Sequence, residues 1–321
     1  MSAVKTYEEL KKLICLTSDE EEWFKKQNED SLAFLIPGEF SDKLNIPEIR
    51  RQFVPSVREM NESSLTNDPQ NEKNYTVCSK LVHRYTNRVA FTVTDKCFGY
   101  CRHCFRRRFT SHDKEATQKE IDDVCSYISA HKEVEEILVT GGDPLTLSNN
   151  VLKALFTSLR KASKNLIIRL CTRALSLCPQ RFDSELLNIL KEFNDNAPLF
   201  LISQFNSQYE FSSKTDQKAK EITSFGIAIF NQSVLLKGVN DSKEEICALS
   251  RILLLNRIKP YYMFQTDDVA GTEHLRISNK KAYELECEVR KCLSGLEMPV
   301  FVKDLPNGGG KVPLHEVAEL E

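Results

Sequence analysis

No stretch of this 321-residue chain approaches the ~18 uninterrupted apolar residues that a membrane-spanning helix needs. The N-terminus, Met1 to Glu9, has no apolar segment of the kind that marks a secretory signal. Charge of one sign is not in excess either. Lys and Arg number 44 against 46 Asp and Glu, a formal net charge of -2, which argues against a nucleic-acid-binding surface. Internal repeats and low-complexity segments are missing. The 11 cysteines are an odd number, and those at 15, 78, 125, 171, 178, 247, 287 and 292 sit singly, so reduced thiols are expected rather than a disulfide framework. With 41% hydrophobic and 28% charged residues, the chain has the composition of a globular protein, long enough for one large domain with an appendage. A cytoplasmic protein with no membrane or nucleic-acid partner is expected.

The other three cysteines stand together in Cys97-Phe98-Gly99-Tyr100-Cys101-Arg102-His103-Cys104, spaced CxxxCxxC directly after an apolar strand pattern. Three thiolates at this spacing can hold three corners of a 4Fe-4S cluster. Full coordination takes four, so a set of three leaves one iron open to a small ligand. Zinc is an alternative, with His103 as a fourth ligand. Structural zinc sites usually draw on two separated knuckles, however, and the chain has no second Cys/His pair. Unligated buried thiols are the remaining alternative.

Residues 1 to about 80 pattern as helices and loops, with a capping box at Ser18-Asp19-Glu20-Glu21, a short helix from Ile46 to Phe53 and a polar, turn-rich loop from Asn61 to Asn74. From about residue 85, apolar runs alternate with helical segments. Strands are expected at Arg88 to Thr94, Glu136 to Thr140, Leu166 to Cys171, Pro198 to Ser203, Ile227 to Phe230 and Lys259 to Phe264, with a further apolar run at Met298 to Val302. Helices are expected at Lys114 to His131, Asn149 to Ala162, Ser184 to Phe193, Ser242 to Leu255 and Ser278 to Leu293. This alternation predicts βαβ units in a parallel α/β sheet. Six such units fit a partial or complete β/α barrel, whose chemistry sits at the C-terminal ends of the strands.

The second expected strand ends in Thr140-Gly141-Gly142-Asp143-Pro144-Leu145. Paired glycines let backbone approach a ligand, and a neighbouring carboxylate or carbonyl can receive an amino group. The same string also suits an ordinary strand-to-helix turn. Together with the cysteines it resembles the radical S-adenosyl-L-methionine (SAM) superfamily. The strings Cys101 to Arg108, Gly141 to Leu145 and Asn231-Gln232-Ser233-Val234-Leu235-Leu236 are similar to the lysine 2,3-aminomutase branch, and the similarity runs from about His83 to Pro313. The resemblance implies a 4Fe-4S cluster on Cys97, Cys101 and Cys104, SAM at the open iron, and Gly141, Gly142, Asp143 and Gln232 as cofactor-binding residues. It also implies a partial (β/α)6-type barrel over residues 83–305, a helical N-terminal extension over 1–82 and a short C-terminal segment over 306–321 that carries a lysine for pyridoxal 5'-phosphate (PLP).

That lysine lies in Asn307-Gly308-Gly309-Gly310-Lys311, which fails as a phosphate loop because Leu305 and Val312 stand where glycine and Ser or Thr are required. Locally the string is a flexible turn with a solvated lysine. The resemblance assigns Lys311 to covalent attachment of PLP. It assigns the string His83-Arg84-Tyr85-Thr86-Asn87-Arg88 to seating it, through Arg84, Tyr85 and Arg88. Forked guanidinium donors suit phosphate oxygens, and an aromatic can flank the pyridine ring. Arg106, in a run that otherwise patterns as a solvated basic face, is by resemblance the partner of the substrate carboxylate. Asp267 and Asp304 match positions where lysine-specific members hold the side-chain ammonium. Two carboxylates around one ammonium attract it and repel a second carboxylate, favouring lysine over glutamate.

The activity implied is amino migration from Cα to Cβ of L-lysine, giving β-lysine, with a flavodoxin or ferredoxin as reductant. Gln204-Phe205-Asn206-Ser207 replaces the His-Phe-Asn-His of the fermentative enzymes, and Asn307 replaces a further glycine. The chain's end at Glu321 resembles the short aminomutases that make β-lysine for modifying elongation factor P. Gln204 and Ser207 motivate an alternative, an aminomutase acting on another amino acid or a peptide-linked lysine. A non-catalytic iron-sulfur binding protein is the other alternative, and the joint presence of the cysteines, the glycine loop, Lys311 and both aspartates argues against it.

Overall fold

The structure, a computed structural model, describes residues 2–112, 114–306 and 309–318; Asn307 and Gly308 of the glycine-rich string lie outside the described residues. Three short helices come first: α1 (Tyr7–Lys11), α2 (Ser18–Lys26) and α3 (Pro47–Phe53). The capping box of α2 belongs to Thr17, one residue before the expected Ser18, because Glu20 is the carboxylate that turns inward. Glu20 accepts from the Thr17 amide at 2.7 Å and from Arg50 Nε of α3 at 2.7 Å, so one side chain both caps α2 and ties it to α3.

A hairpin absent from the sequence pattern follows, β1 (Thr76–Cys78) antiparallel to β2 (Leu81–Tyr85), and β2 is in turn antiparallel to β3 (Arg88–Thr94). Parallel strands then succeed one another: β4 (Glu136–Gly141), β5 (Ile167–Cys171), β6 (Leu199–Ser203), β7 (Ile229–Leu235), β8 (Ile258–Gln265) and β9 (Val300–Leu305). The last strand, β10 (Gly310–Pro313), returns antiparallel to β9. The crossovers carry α4 (Gln118–Ala130), α5 (Asn149–Ala162), α6 (Ala174–Leu177), α7 (Ser184–Asn196), α8 (Ser213–Ser224), α9 (Lys243–Leu255) and α10 (Asn279–Arg290), and α11 (Leu314–Ala318) follows β10. Among the described residues the ten strands lie in sequence order with β1 and β10 at the two ends, a partial barrel rather than a closed one.

Three elements differ from the sequence pattern in ways that matter for the site. The helix expected from Lys114 starts at Gln118, because Glu115 bridges back to Thr94 and Thr117 caps with Glu120. Strand β7 runs on through Asn231 to Leu235, so Gln232 projects from a strand rather than a loop. Strand β9 is shifted towards the C-terminus and carries Asp304 within it.

Along β3, β4 and β5 alternate residues take opposite faces, as the pleat requires. Val89, Phe91, Ile137, Val139, Ile168 and Leu170 are buried in one core with Val124, Leu155 and Phe156 of the outer helices. The intervening positions Arg88, Leu138, Thr140, Arg169 and Cys171 line a cavity inside the curve of the sheet. A packed barrel fills that face with branched aliphatics; here several of the positions are charged or polar, which leaves space for a ligand. No helix among the described residues is long and apolar enough to cross a membrane.

Candidate active site

The cavity measures about 490 Å3. At its upper rim the loop after β3 carries Cys97, Cys101 and Cys104, and the N-terminal segment fixes its path. Tyr100 N donates to Leu35 O at 3.0 Å and Arg102 N to Gln52 O at 2.8 Å. Arg102 is fully buried and points away from the cavity. Its Nε donates to Glu59 Oε1 at 2.8 Å and its Nη1 to Ala33 O at 2.9 Å.

All 11 cysteines are free thiols, and the three of the motif line the cavity. Burial pushes the Cys104 thiol up to about 11 and the Cys97 thiol well above its ordinary value, with the charges of neighbouring cysteines adding to both. Thiolates in such a place require a cationic group among them. A single zinc ion with His103 as its fourth ligand would need that ring turned towards the three thiols. His103 is turned to other partners: its Nε2 accepts from Gln204 Nε2 at 3.2 Å and Asn206 Nδ2 at 3.3 Å, and burial holds its pKa well below the ordinary value. A cluster spreads its ligand sulfurs over a larger volume. Beside the thiols, Arg173 Nη1 donates to Cys101 Sγ at 2.9 Å, while His103 Nδ1 and Arg173 Nε are buried without a hydrogen-bond partner. The three thiols, the adjacent guanidinium and these two orphaned atoms fit a bulky anionic-sulfur cluster with a further polar ligand beside it.

The Gly141-Gly142 pair has a different first duty from the one its sequence suggests. Gly142 N donates to Thr94 O and Asp143 N to Lys96 O, each at 2.6 Å, and a Cβ on Gly142 would stand 2.1 Å from Lys96 O. The glycines therefore let the end of β4 cross the cysteine loop, and both also line the cavity. The Asp143 carboxylate is taken up by the chain itself, accepting from Thr172 Oγ1 at 2.7 Å and from the Arg173 amide at 2.8 Å; burial outweighs these donors and leaves its pKa raised.

Opposite the cysteines, the β9–β10 register sets Lys311 directly across from Asp304, and Lys311 Nζ donates to Asp304 Oδ2 at 3.1 Å. Asp304 Oδ1 also accepts from Arg84 Nη2 and, at 3.1 Å, from the Tyr85 hydroxyl. The Arg88 guanidinium lies 3.7 Å over the Tyr85 ring, and Lys311 Nζ stands 5.3 Å from the centre of the same ring. An amine, two guanidinium groups and an aromatic face on one wall are the donor set that a phosphate-bearing pyridine cofactor requires, so these residues fit PLP. Asp267 lies nearby, its carboxyl pushed up to about 7 by burial, with Asp304 and Asp268 adding and Gln70 and Arg84 opposing. Gln232 lines the same cavity from β7.

Arg106 also lines the cavity, already paired. Its Nε and Nη2 donate to Glu72 at 3.1 and 2.6 Å, and its Nη1 to Thr140 Oγ1 at 3.2 Å. The sequence pattern missed Glu72 and Gln70, because a polar loop gives no sign that two of its side chains are buried. The only signal was the arginine run, whose charges need carboxylates once buried. Of the two replaced histidine positions, Gln204 lines the cavity, whereas Ser207 accepts from Tyr209 N at 3.3 Å as the cap of a short 3-10 turn.

Residues 91–249 match the family model described as the radical SAM superfamily. The chain is 36% identical over 317 residues to L-lysine 2,3-aminomutase of Clostridium subterminale, covering 97% of this chain and 75% of that protein. It is 35% identical to L-lysine 2,3-aminomutase of Fusobacterium nucleatum, covering 97% and 74%. It is also 32% identical to glutamate 2,3-aminomutase of Clostridioides difficile, covering 95% and 72%.

Proposed function

The chain belongs to the L-lysine 2,3-aminomutase family of the radical SAM superfamily, and from that membership we propose that it is an isomerase converting free L-lysine to β-lysine. A 4Fe-4S cluster and SAM come with the superfamily, and PLP is the third cofactor of this reading. When bound, the reduced cluster with SAM supplies a radical that can take hydrogen from the substrate, and PLP supplies a conjugated ring that lets nitrogen shift between neighbouring carbons.

The protein's own contribution is geometry and charge. Cys97, Cys101 and Cys104 hold the cluster. Lys311 holds PLP, with Arg84 and Arg88 as phosphate partners and Tyr85 against the ring. Arg106 takes the substrate carboxylate, and Asp267 with Asp304 takes the side-chain ammonium. The observation that carries the reading is that all these side chains line a single cavity, whose apolar wall of Leu138, Val234 and Phe264 keeps water from a radical. Asp304 shares its oxygens among Lys311, Arg84 and Tyr85, so Asp267 is the freer acceptor for an incoming ammonium. The two carboxylates repel the second carboxylate of glutamate, the substrate in the name of one relative.

In this reading the protein works in the cytoplasm with a flavodoxin or ferredoxin as reductant, and β-lysine goes on to modify elongation factor P. The test is turnover by anaerobically reconstituted protein of L-lysine beside L-glutamate and a lysine-containing peptide. Lysine should be preferred, and Asp267→Asn should lower kcat/KM for it by roughly two to four orders of magnitude, the equivalent of about 3 to 5 kcal/mol for a buried ammonium losing one partner. Turnover of glutamate or the peptide in preference to lysine overturns the substrate assignment.

A further inference from the structure

The two charged ends of the proposed substrate site are held by one short turn, Asp68-Pro69-Gln70-Asn71-Glu72, to which neither the sequence pattern nor the family resemblance gives a role. We propose that this turn is the specificity element of the site: Glu72 clamps Arg106 so that one edge of its guanidinium is presented to a substrate carboxylate, and Gln70 orients Asp267 towards the substrate ammonium. The proposal rests on the lysine reading above.

Glu72 is 6% exposed and its carboxylate takes the Nε and Nη2 side of Arg106, leaving the Nη1 edge beside Thr140 in the cavity wall. A guanidinium carries five N–H donors in a fixed fork, so a carboxylate on one edge leaves a second edge able to bind another. The turn is braced rather than loose. Asp68 accepts from the Glu72 and Lys73 amides at 3.0 and 3.1 Å, and Asn71 occupies the left-handed region at φ 52°. Arg108 bridges Asp68 and Glu72 at 2.9 and 3.1 Å, and its Nη1 donates to Asn67 O at 2.7 Å. A carboxylate held at this many points is a fixture, not a plug that substrate must expel. Two residues earlier, Gln70 is also 6% exposed. Its amide nitrogen donates to Asp267 Oδ1 while its amide oxygen accepts from Arg84 Nη1, so one side chain separates the ammonium-binding carboxylate from the nearest guanidinium. Just before the turn, Thr66 pairs with Val269, which ties the preceding chain to the loop carrying Asp267.

A double dissociation in binding tests this. Affinities of the anaerobic holoprotein are measured by calorimetry for L-lysine, for L-lysinamide, which lacks the carboxylate, and for L-norleucine, which lacks the side-chain ammonium. All three keep the α-amino group. Glu72→Gln should weaken lysine by about tenfold or more, the value of a charge-assisted contact, and leave lysinamide unchanged. Gln70→Leu should weaken lysine and leave norleucine unchanged. Equal losses for lysine and lysinamide in Glu72→Gln mean general damage and overturn the clamp, as does unchanged lysine affinity. Tighter lysine binding would make Glu72 a competitor and overturn it too. Wild-type protein that binds lysine no better than norleucine overturns the lysine reading itself, a result distinct from any failure of the variants.

Discussion

Asp267 is partly buried beside two other carboxylates, and desolvation with their charge pushes its carboxyl from the ordinary 3.8 up to about 7. Between those values the folded protein holds a proton that the unfolded chain has released. The stability contribution of this residue therefore falls as pH rises from about 4 to 7 and stays lost above that. Ligand binding runs the other way, because an ammonium is attracted only by the ionised carboxylate. Affinity for L-lysine should rise with pH from 6 to 8, and Asp267→Asn should flatten that rise; calorimetry across the range checks it, and a pH dependence unchanged in the variant would assign it to another group. On the same wall, Lys311 lies within reach of Asp304, Tyr85 and the cavity. Borohydride reduction followed by peptide mapping should find the pyridoxyl group on Lys311, and labelling of a different lysine would refute the assignment.

At the scale of elements, the strand-helix alternation after residue 85 was legible because apolar runs buried against outer helices have a periodicity that needs no tertiary knowledge. The β1–β2 hairpin was not, since β1 is three residues long, largely exposed and paired with β2, which in turn pairs with β3. The cysteine spacing and the Gly-Gly-Asp-Pro string announced themselves, while the opposition of Lys311 to Asp304 is a matter of β9–β10 register that spacing alone cannot give. Gly142 shows the same limit, as its sequence suggests ligand contact and its geometry adds a backbone crossing. Gly142→Ala would put a Cβ 2.1 Å from Lys96 O and should cost at least about 2 kcal/mol by denaturant unfolding, with loss of iron, whereas Gly295→Ala, which meets nothing within 4 Å, should be close to neutral.

Across the whole molecule, the N-terminal segment and the partial barrel form one site. Gln52 of α3 accepts from Arg173, which reaches Cys101, and Glu59 pairs with Arg102 and Arg107 of the cysteine loop. Arg102→Met should leave Glu59 buried with half its partners and destabilise the protein by about 3 to 5 kcal/mol, read as a lower Tm together with faster loss of the cluster. An unchanged Tm would mean that the extension does not brace the cysteine loop. This assembly is proposed to move the α-amino group of lysine to Cβ. The most direct test is to incubate the anaerobically reconstituted protein with SAM, a strong reductant and L-lysine labelled with 15N at the α-amino group, and to follow the label by NMR. The account predicts β-lysine with 15N on Cβ; recovery of the label only on Cα of unchanged lysine, from protein shown to hold its cluster and PLP, would contradict it.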